Sequence, residues 1–289
     1  MLVLHQAHPR YPSALRSLSR PPDRLWIDGT LPDAPYVAVV GTRAPDREGT
    51  RFSRDLGEAL ARAGVTVVSG AALGVDEAAH EGALAAGGRT IAVLGTGVDV
   101  VYPSTHRDLQ ARIAGQGALV SELGPGTPPR RSHFPERNRI VAALASATVV
   151  VQAGAKSGAL STAAEARRLG RTVVAVAWSP YDPRGEGTAV LLRSGARFAG
   201  SVPDVLAAVG IAASAAPGAR PRPAAEPEDP AARAILATLS KGPLFLTQIV
   251  DETGLGPSDA SRALLALALE GRIEETDFQR FGVVRTPRS

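Results

Sequence analysis

Residues 130–139, RRSHFPERNR, crowd four arginines and a histidine around one phenylalanine. Dispersed positive charge suits a phosphate backbone, and the face of Phe134 suits a nucleobase. A solvated arginine run before a helix is the ordinary alternative, because charge runs are usually exposed faces. Phe134 favours the binding interpretation, since an aromatic ring in a basic loop bounded by Pro135 is poorly placed for a core. The segment therefore predicts contact with a nucleic acid.

Short glycine-rich turns form a second group of residues with binding chemistry. They follow predicted strands and read GTR at 41–43, SGAALG at 69–74, GTG at 95–97 and QAGAKSG at 152–158. Glycine permits close backbone approach, while hydroxyl groups and helix N-termini donate hydrogen bonds to an anion. A single turn of this kind is commonly just a tight turn, but four on one sheet edge predict a phosphate-binding rim. The candidate residues from these turns are Arg43, Ser69, Gly70, Lys156, Ser157 and Gly158.

The elements that must position these turns alternate between strand and helix patterns. Buried strands are predicted from continuous apolar runs at 37–40, 65–68, 90–94, 118–120, 148–151 and 172–176. Amphipathic stretches at 51–63, 76–86 and 160–169 predict helices, each followed by a glycine stop. Repeated β-α units predict an α/β fold with a doubly wound parallel sheet. Such sheets bind ligands beyond the carboxyl ends of their strands.

Composition narrows the class of protein. The chain has 289 residues, 44% of them apolar, which is enough for one large and one small domain. No apolar run reaches the length of a membrane helix and the start lacks a secretory pattern, so we expect a cytoplasmic protein with no membrane partner. The absence of cysteine excludes disulfides and thiolate metal sites. Only two of the 32 basic residues are lysine, and guanidinium groups suit bidentate phosphate contacts.

An alanine- and proline-rich stretch at 211–230 predicts a linker that divides the chain. The first 210 residues carry 23 basic against 18 acidic groups, whereas residues 231–289 carry seven of each. We therefore expect polyanion binding mainly in the large domain, at 36–210, which a lead-in segment at 1–35 precedes.

Common nucleotide and catalytic motifs are missing. GTGVDV at 95–100 has Val100 where the dinucleotide fingerprint needs its third glycine, and no P-loop occurs. NAD and ATP are disfavoured, and we expect no cofactor. Asp76 and His80 stand four residues apart and permit acid–base chemistry, but a helix cap and a local hydrogen bond are their more usual roles. No Ser/His/Asp triad is present, so we expect a binding protein and not an enzyme.

Several motifs occur together in a fixed order. They are VGTR at 40–43, SGAALGVD at 69–76, GVDVVYP at 97–103, SE at 121–122, FPERNRI at 134–140 and SGALSTA at 157–163. From about Tyr11 to Arg197 the chain thereby resembles the DNA-processing protein A family (DprA, also called Smf). The resemblance implies an extended Rossmann domain that binds single-stranded DNA and forms a homodimer. It also implies a protein that protects incoming DNA in natural transformation and loads the RecA recombinase onto it.

The resemblance also places the family's DNA pocket on particular residues of this chain. They are Arg43, Arg131, Phe134, Arg137, Asn138, Arg139, Ser157 and Gly158. The arginines would hold phosphates, the phenylalanine would stack on a base, the asparagine could bond to either, and the glycine turn would donate amide N–H groups. For Arg137 and Arg139, pairing with Glu122 or Glu136 to brace the loop is the alternative.

The C-terminal region has its own pattern. Three helices are predicted at 231–239, 247–252 and 258–270, followed by a hairpin built from 272–273 and 282–285, which resembles the winged-helix domain that the family often carries. A recognition helix for DNA usually displays several cations, but the third helix offers only Arg262 against two acids. Its charge favours a protein contact or a weak DNA contact.

The main alternative function is enzymatic. Lysine-decarboxylase-like phosphoribohydrolases have a related Rossmann core and cleave nucleoside monophosphates with a PGGxGTxxE loop. Thr162 and Glu165 align with the threonine and glutamate of that loop, but Ala159 and Ser161 stand where it has glycine. Loss of these glycines obstructs the tight phosphate turn, so the sequence favours DNA binding.

Overall fold

The structure is a computed structural model that describes residues 1–32, 35–179, 181–211, 227, 229–269, 272–275 and 280–283. The chain divides into two compact units, Met1–Ala216 and Pro217–Ser289. The predicted linker at 211–230 lies mostly outside the described residues, because only 211, 227, 229 and 230 belong to them.

A nine-stranded sheet forms the centre of the larger unit. Its strands are β1 (Leu2–His5), β2 (Arg24–Gly29), β3 (Tyr36–Val40), β4 (Thr66–Ser69), β5 (Thr90–Val93), β6 (Ala118–Ser121), β7 (Ala147–Val150), β8 (Thr172–Val176) and β9 (Arg197–Ala199). They lie in the order β1-β2-β6-β5-β4-β3-β7-β8-β9. The seven strands from β6 to β9 in this order are parallel, while β2 pairs antiparallel with β1 and β6. The predicted Rossmann-like, doubly wound sheet is confirmed.

Helices cover both faces of this sheet. They are α1 (Arg47–Arg62), α2 (Val75–Ala85), α3 (Arg107–Gln116), α4 (His133–Leu144), α5 (Ala159–Arg168), α6 (Glu186–Arg193) and α7 (Val202–Ala208). Helices α1, α2 and α7 share a core with Val39 and Val67, and α3 packs on Ala92 of the same face. Helices α4, α5 and α6 share a core with Ala38 and Val40 on the opposite face. Burial on both faces explains the continuous apolar strand sequences.

The six predicted strands are all present, and their ends agree within one residue. Strands β1, β2 and β9 were not predicted. β2 alternates in burial, and β1 contains a short apolar run, Leu2–Leu4, at the start of the chain that was not interpreted as a strand. β9 is three residues long and exposes Arg197 and Phe198. Because β1 and β2 belong to this sheet, they place two segments of the predicted lead-in at 1–35 within the larger unit.

The position of β3 creates a topological switch point in the sheet. From β3 the chain builds outward through β4, β5 and β6, and later adds β7, β8 and β9 on the other side of β3. The loops after β3 and β7 therefore diverge at a topological switch point, where open α/β sheets bind their ligands. The predicted glycine turns follow β3, β4, β5 and β7, so all four lie at this carboxyl edge.

The smaller unit is a winged helix, as predicted. It contains α8 (Pro230–Leu239), β10 (Leu244–Phe245), α9 (Leu246–Thr253), α10 (Pro257–Leu269), β11 (Ile273–Glu275) and β12 (Arg280–Val283). β12 pairs with β11 and also with β10, a short strand that was not predicted. Ile235, Ile249 and Leu267 are buried in its core. The part of the predicted hairpin at 284–285 lies outside the described residues.

Candidate nucleic-acid interface

A cleft of about 740 Å³ opens at the switch point of the sheet. Its walls are the loops after β3, β4 and β7 together with the first turns of α4 and α5. The volume falls within the roughly 300–1,000 Å³ that is usual for small-ligand sites. Nine of the eleven residues that the sequence predicted for DNA binding line the cleft: Arg43, Gly70, Arg131, Phe134, Arg137, Asn138, Lys156, Ser157 and Gly158.

Phe134 provides the aromatic surface of the cleft. It lies in the first turn of α4, which begins at His133, so the prediction that it belongs to a loop was wrong. Pro135 does not prevent this helix from starting, because the first turn needs no intrahelical N–H donors. The half-buried ring lies beneath the cation of Arg43, whose Cζ is 5.5 Å from the ring centroid. The helix thus holds a stacking surface in place with positive charge at its face.

Three exposed cations line the cleft from different walls. Arg43 follows β3, Arg131 precedes α4, and Lys156 follows β7. Among the residues that the structure describes, none of the three is ion-paired with a carboxylate. Their positive charge is therefore available to a phosphate backbone, which is the usual target of such side chains.

Arg137 is different because it is buried, with 5% of its surface exposed. Its Nη1 donates to the carbonyl oxygen of Gly70 at 2.6 Å and to that of Val93, while Nε donates to Asn138 Oδ1 at 3.2 Å. Burial lowers the pKa of Arg137 to about 10, against the attraction of Asp76, which raises the pKa. This guanidinium fastens α4 to the ends of β4 and β5.

Asp76 is the buried counter-charge of Arg137. Its Oδ2 accepts hydrogen bonds from the backbone N–H groups of Gly70 at 3.1 Å and Ala72 at 3.3 Å. Burial raises the pKa of Asp76, and the charge of Arg137 acts in the opposite direction. Gly70 is held from both sides, and a Cβ at this position would lie 2.4 Å from Arg137 Nη1. A side chain at this position would therefore displace the buried Arg137 guanidinium, and the N–H of Gly70 is already bonded to Asp76.

Asn138 links two walls of the cleft. Its Nδ2 donates to Ser161 Oγ at 2.8 Å and to the carbonyl oxygen of Gly158 at 3.3 Å. Ser157 Oγ in turn accepts from the N–H of Ala159 at 3.3 Å. The start of α4 is thereby tied to the start of α5, which fixes the turn at 157–158 beside the cleft.

Two predicted site residues lie outside the cleft. Ser69 is buried, and its Oγ donates to the carbonyl oxygen of Val39 at 2.6 Å. Arg139 Nη2 lies 2.5 Å from Glu122 Oε2, which is the bracing pair that the sequence left open as an alternative. Two residues along a helix correspond to a rotation of about 200°, so Arg139 lies on the side of α4 away from Arg137.

Tyr102 is a cleft residue to which the sequence analysis assigned no role. It lines the cleft with 42% of its surface exposed, and its ring centroid lies 5.5 Å from that of Phe134 at an angle of 36°. Its sequence signal was an aromatic residue beside a proline, shortly after the glycine turn that follows β5.

The Asp76–His80 pair has structural roles. His80 is fully buried, its Nδ1 lies 2.6 Å from Thr90 Oγ1, and burial lowers the pKa of His80 to about 3. A neutral, enclosed imidazole cannot exchange protons with a ligand in the cleft.

Within the described part of the chain, no group of three or more metal-ligating side chains could hold an ion. Among the same residues, no helix has the length and apolar character for crossing a membrane.

Comparisons with known proteins identify the family. The family model for DNA recombination-mediator protein A matches residues 2–210, and the model for the DprA winged helix domain matches residues 219–277. This chain belongs to the DprA/Smf family. Protein Smf of Synechocystis sp. is 36% identical, over 94% of this chain and 78% of that protein. The putative DNA processing protein DprA of Mycobacterium tuberculosis is 41% identical over 87% of this chain. This chain spans only 64% of the length of that relative.

Solved structures of relatives have the same fold. DNA processing protein A from Streptococcus pneumoniae is 38% identical, with a TM-score of 0.68 over 71% of this chain and 73% of that one. DNA processing protein A from Helicobacter pylori is 30% identical, with a TM-score of 0.62 over 68% of this chain and 91% of that one. The structural work on the latter concerns that protein's single-stranded DNA binding mode.

Replacement of Arg137 by methionine tests its bracing role. Arg137→Met leaves the Asp76 carboxylate buried without its counter-charge, so we expect the free energy of unfolding to fall by about 3–5 kcal/mol. The loss should grow as pH rises, because a carboxyl whose folded pKa is raised destabilises the fold once it ionises. Urea unfolding can be followed by Trp26 and Trp178, the two tryptophans, which both lie in the larger unit.

The matched control is Arg43→Met, which removes an exposed arginine from the same cleft and should leave stability nearly unchanged. The double variant Arg137→Met/Asp76→Asn should recover part of the lost stability. Equal stability of Arg137→Met and Arg43→Met would contradict the bracing role.

Proposed function

We propose that this chain binds single-stranded DNA in the cleft at the switch point. Phe134 stacks on an unpaired base, while Arg43, Arg131 and Lys156 hold the flanking phosphates. The observation that carries the proposal is the position of the Phe134 ring, which is fixed by α4 inside a cleft and lies 5.5 Å from the cation of Arg43. A stacking surface together with dispersed positive charge is the combination that single-strand binders use.

The geometry favours a single strand over a duplex. Phe134 is half-buried within a concave site, and a paired base cannot reach it without leaving its stack. Extraction of a base from a duplex costs a few kcal/mol, whereas a single strand offers its bases freely. The single-stranded DNA binding of the Helicobacter pylori relative supports the same assignment for this chain.

We infer that the larger unit supplies most of the affinity. In the smaller unit, α10 carries Arg262, whose Nη2 lies 3.2 Å from Asp259 Oδ1. Its Nη1 lies 4.0 Å from Asp229 Oδ2, so this cation already has two acidic partners. The charge of α10 favours a protein contact or a weak DNA contact in preference to tight duplex recognition.

We infer further that the bound strand is protected and passed to the RecA recombinase during natural transformation. The recombination-mediator description of the family supports this role. The protein should therefore accelerate the assembly of RecA on single-stranded DNA, measured by light scattering or by ATP hydrolysis. Unchanged assembly in the presence of the protein would contradict the mediator role and leave DNA binding standing.

A homodimer is part of the same proposal. β9 is the last strand in the sheet order, and it exposes 63% of Phe198, while Val190 on α6 is 46% exposed. Exposed apolar side chains at a sheet edge suit association with a second copy. In sedimentation velocity, Phe198→Asp should shift the protein from dimer to monomer. A wild-type protein that sediments as a monomer would contradict the proposed homodimer.

The glutamate that the hydrolase alternative requires, Glu165, does not line the cleft. Thr162 lines the cleft, whereas Glu165 binds Arg168, with Oε1 2.5 Å from Arg168 Nη2. The hydrogen bond from Arg168 lowers the pKa of Glu165, which suits an ion pair better than proton donation. We therefore expect no release of free base from nucleoside monophosphates. Steady release that Glu165→Gln abolishes would favour the hydrolase.

Stacking and charge should leave different signatures in binding. Phe134→Ala should weaken single-strand binding by about 1–3 kcal/mol with little change in its salt dependence, because a stacked ring releases no counterion. Arg43→Ala should weaken binding and also reduce the slope of log affinity against log salt by roughly 0.7. Fluorescence anisotropy of a labelled oligonucleotide at several salt concentrations measures both quantities.

Arg62→Ala is the matched control for Arg43→Ala. Arg62 is the last residue of α1, about 22 Å along the helix from Arg47, the first residue. It is ion-paired with Glu58. This change should alter neither the affinity nor the salt slope by more than general charge effects. If Phe134→Ala binds like the wild type while a chain without residues 231–289 does not bind, the DNA site lies in the smaller unit and the proposal is wrong.

A further inference from the structure

A side pocket of about 60 Å³ adjoins the cleft. Its lining includes Leu73, and it shares Arg43, Tyr102 and Phe134 with the cleft. Leu73 and Tyr102 are 45% and 42% exposed. Most apolar residues of the neighbouring strands and helices are buried instead. Two exposed apolar side chains therefore flank a small recess next to a basic, aromatic cleft.

The protein holds the Tyr102 segment in place. The carbonyl oxygen of Tyr102 accepts a hydrogen bond at 3.1 Å from Nε2 of Gln110, which is buried. Thr96 Oγ1 donates to the carbonyl oxygen of Val100 at 3.0 Å in the same segment. The rings of Tyr102 and Phe134 lie 5.5 Å apart, within the range of aromatic pairs. Tyr102 thus presents a positioned ring and not a freely moving side chain.

We propose that the side pocket is a second base subsite, which takes the base next to the one stacked on Phe134. This base stacks on Tyr102 and places its edge against Leu73. Arg43 lines both the cleft and the side pocket, so it lies where the phosphate between the two nucleotides must pass. The inference rests on the proposed single-strand binding and extends it, because the ligand becomes a step of two adjacent unpaired nucleotides.

The size and walls of the side pocket define what it recognises. At about 60 Å³, against about 740 Å³ for the cleft, it admits the edge of a ring and not a whole nucleotide. Four of its backbone polar groups are engaged within the protein. The carbonyl oxygens of Ala71 and Gly95 accept from His106 Nδ1 and His133 Nδ1, each at 3.2 Å, and the N–H groups of Gly70 and Ala72 donate to Asp76. We therefore expect stacking without reading of base identity, which every base can satisfy.

Partly abasic strands test the subsite without any protein variant. The strands have about 12 nucleotides, within the site sizes of comparable binders. Each is abasic except for one thymidine, two adjacent thymidines, or two thymidines separated by three abasic positions. The adjacent pair should bind roughly 5- to 150-fold more tightly than the separated pair, since only neighbours can occupy both subsites at once. Equal affinity of the adjacent and separated pairs would overturn the second subsite.

Variants of Tyr102 assign the effect to its ring. Tyr102→Leu should lose the advantage of the adjacent pair with the salt slope unchanged, whereas Tyr102→Phe, which keeps the ring, should retain it. Tyr102→Leu should also weaken binding of an all-thymidine strand when Phe134 is already alanine, because the two rings hold different bases. If Tyr102→Leu has no effect in the Phe134→Ala background, Tyr102 only braces Phe134 and the subsite is overturned.

The same assay separates this inference from the proposed function. A wild-type protein that fails to bind the all-thymidine strand would overturn both. Binding that Phe134→Ala weakens, but that makes no distinction between adjacent and separated thymidines, would overturn the second subsite and leave single-strand binding in place.

Discussion

The buried pair of Arg137 and Asp76 is the interaction on which the cleft depends. Arg137 binds the carbonyl oxygens of Gly70 and Val93 at the ends of β4 and β5, and Asp76 binds the N–H groups of the turn after β4. Since Arg137 lies one turn after Phe134 on α4, the same contact that anchors the helix also positions the ring. Burial of two charges is costly, and their mutual attraction with several hydrogen bonds offsets that cost. Arg137 therefore has a structural role that places Phe134, and it differs in this from the exposed Arg131 of the same segment.

The cleft combines a rigidly held aromatic ring with exposed cationic side chains. The aromatic ring belongs to a helix that is fastened to the sheet, whereas Arg43, Arg131 and Lys156 have exposed side chains on three walls. A rigid ring loses little conformational entropy when a base stacks on it, while exposed, long cationic side chains can follow a phosphate backbone of variable course. This combination favours binding of any sequence over recognition of one.

The architecture and most of the cleft follow from sequence patterns, but the roles of individual arginines do not. Strands buried on both faces, such as β3 and β7, have continuous apolar sequences and are found to within one residue. β2 alternates in burial, so it lacks that signal. Arg137 and Arg139 look alike in sequence, yet one is anchored under the cleft and the other is paired with Glu122 on another side of α4. That difference depends on where the helix starts and which face packs, and tertiary contacts decide both.

We propose that an unpaired base enters the cleft and stacks on Phe134. The most direct test is a binding series on matched single-stranded and double-stranded oligonucleotides over a range of salt concentrations. We expect a lower Kd for the single strand at every salt concentration, with affinity for both forms falling steeply as salt rises. Equal affinity for the two forms would contradict this proposal, because binding would then depend on phosphate charge alone and the position of Phe134 would have no part in it.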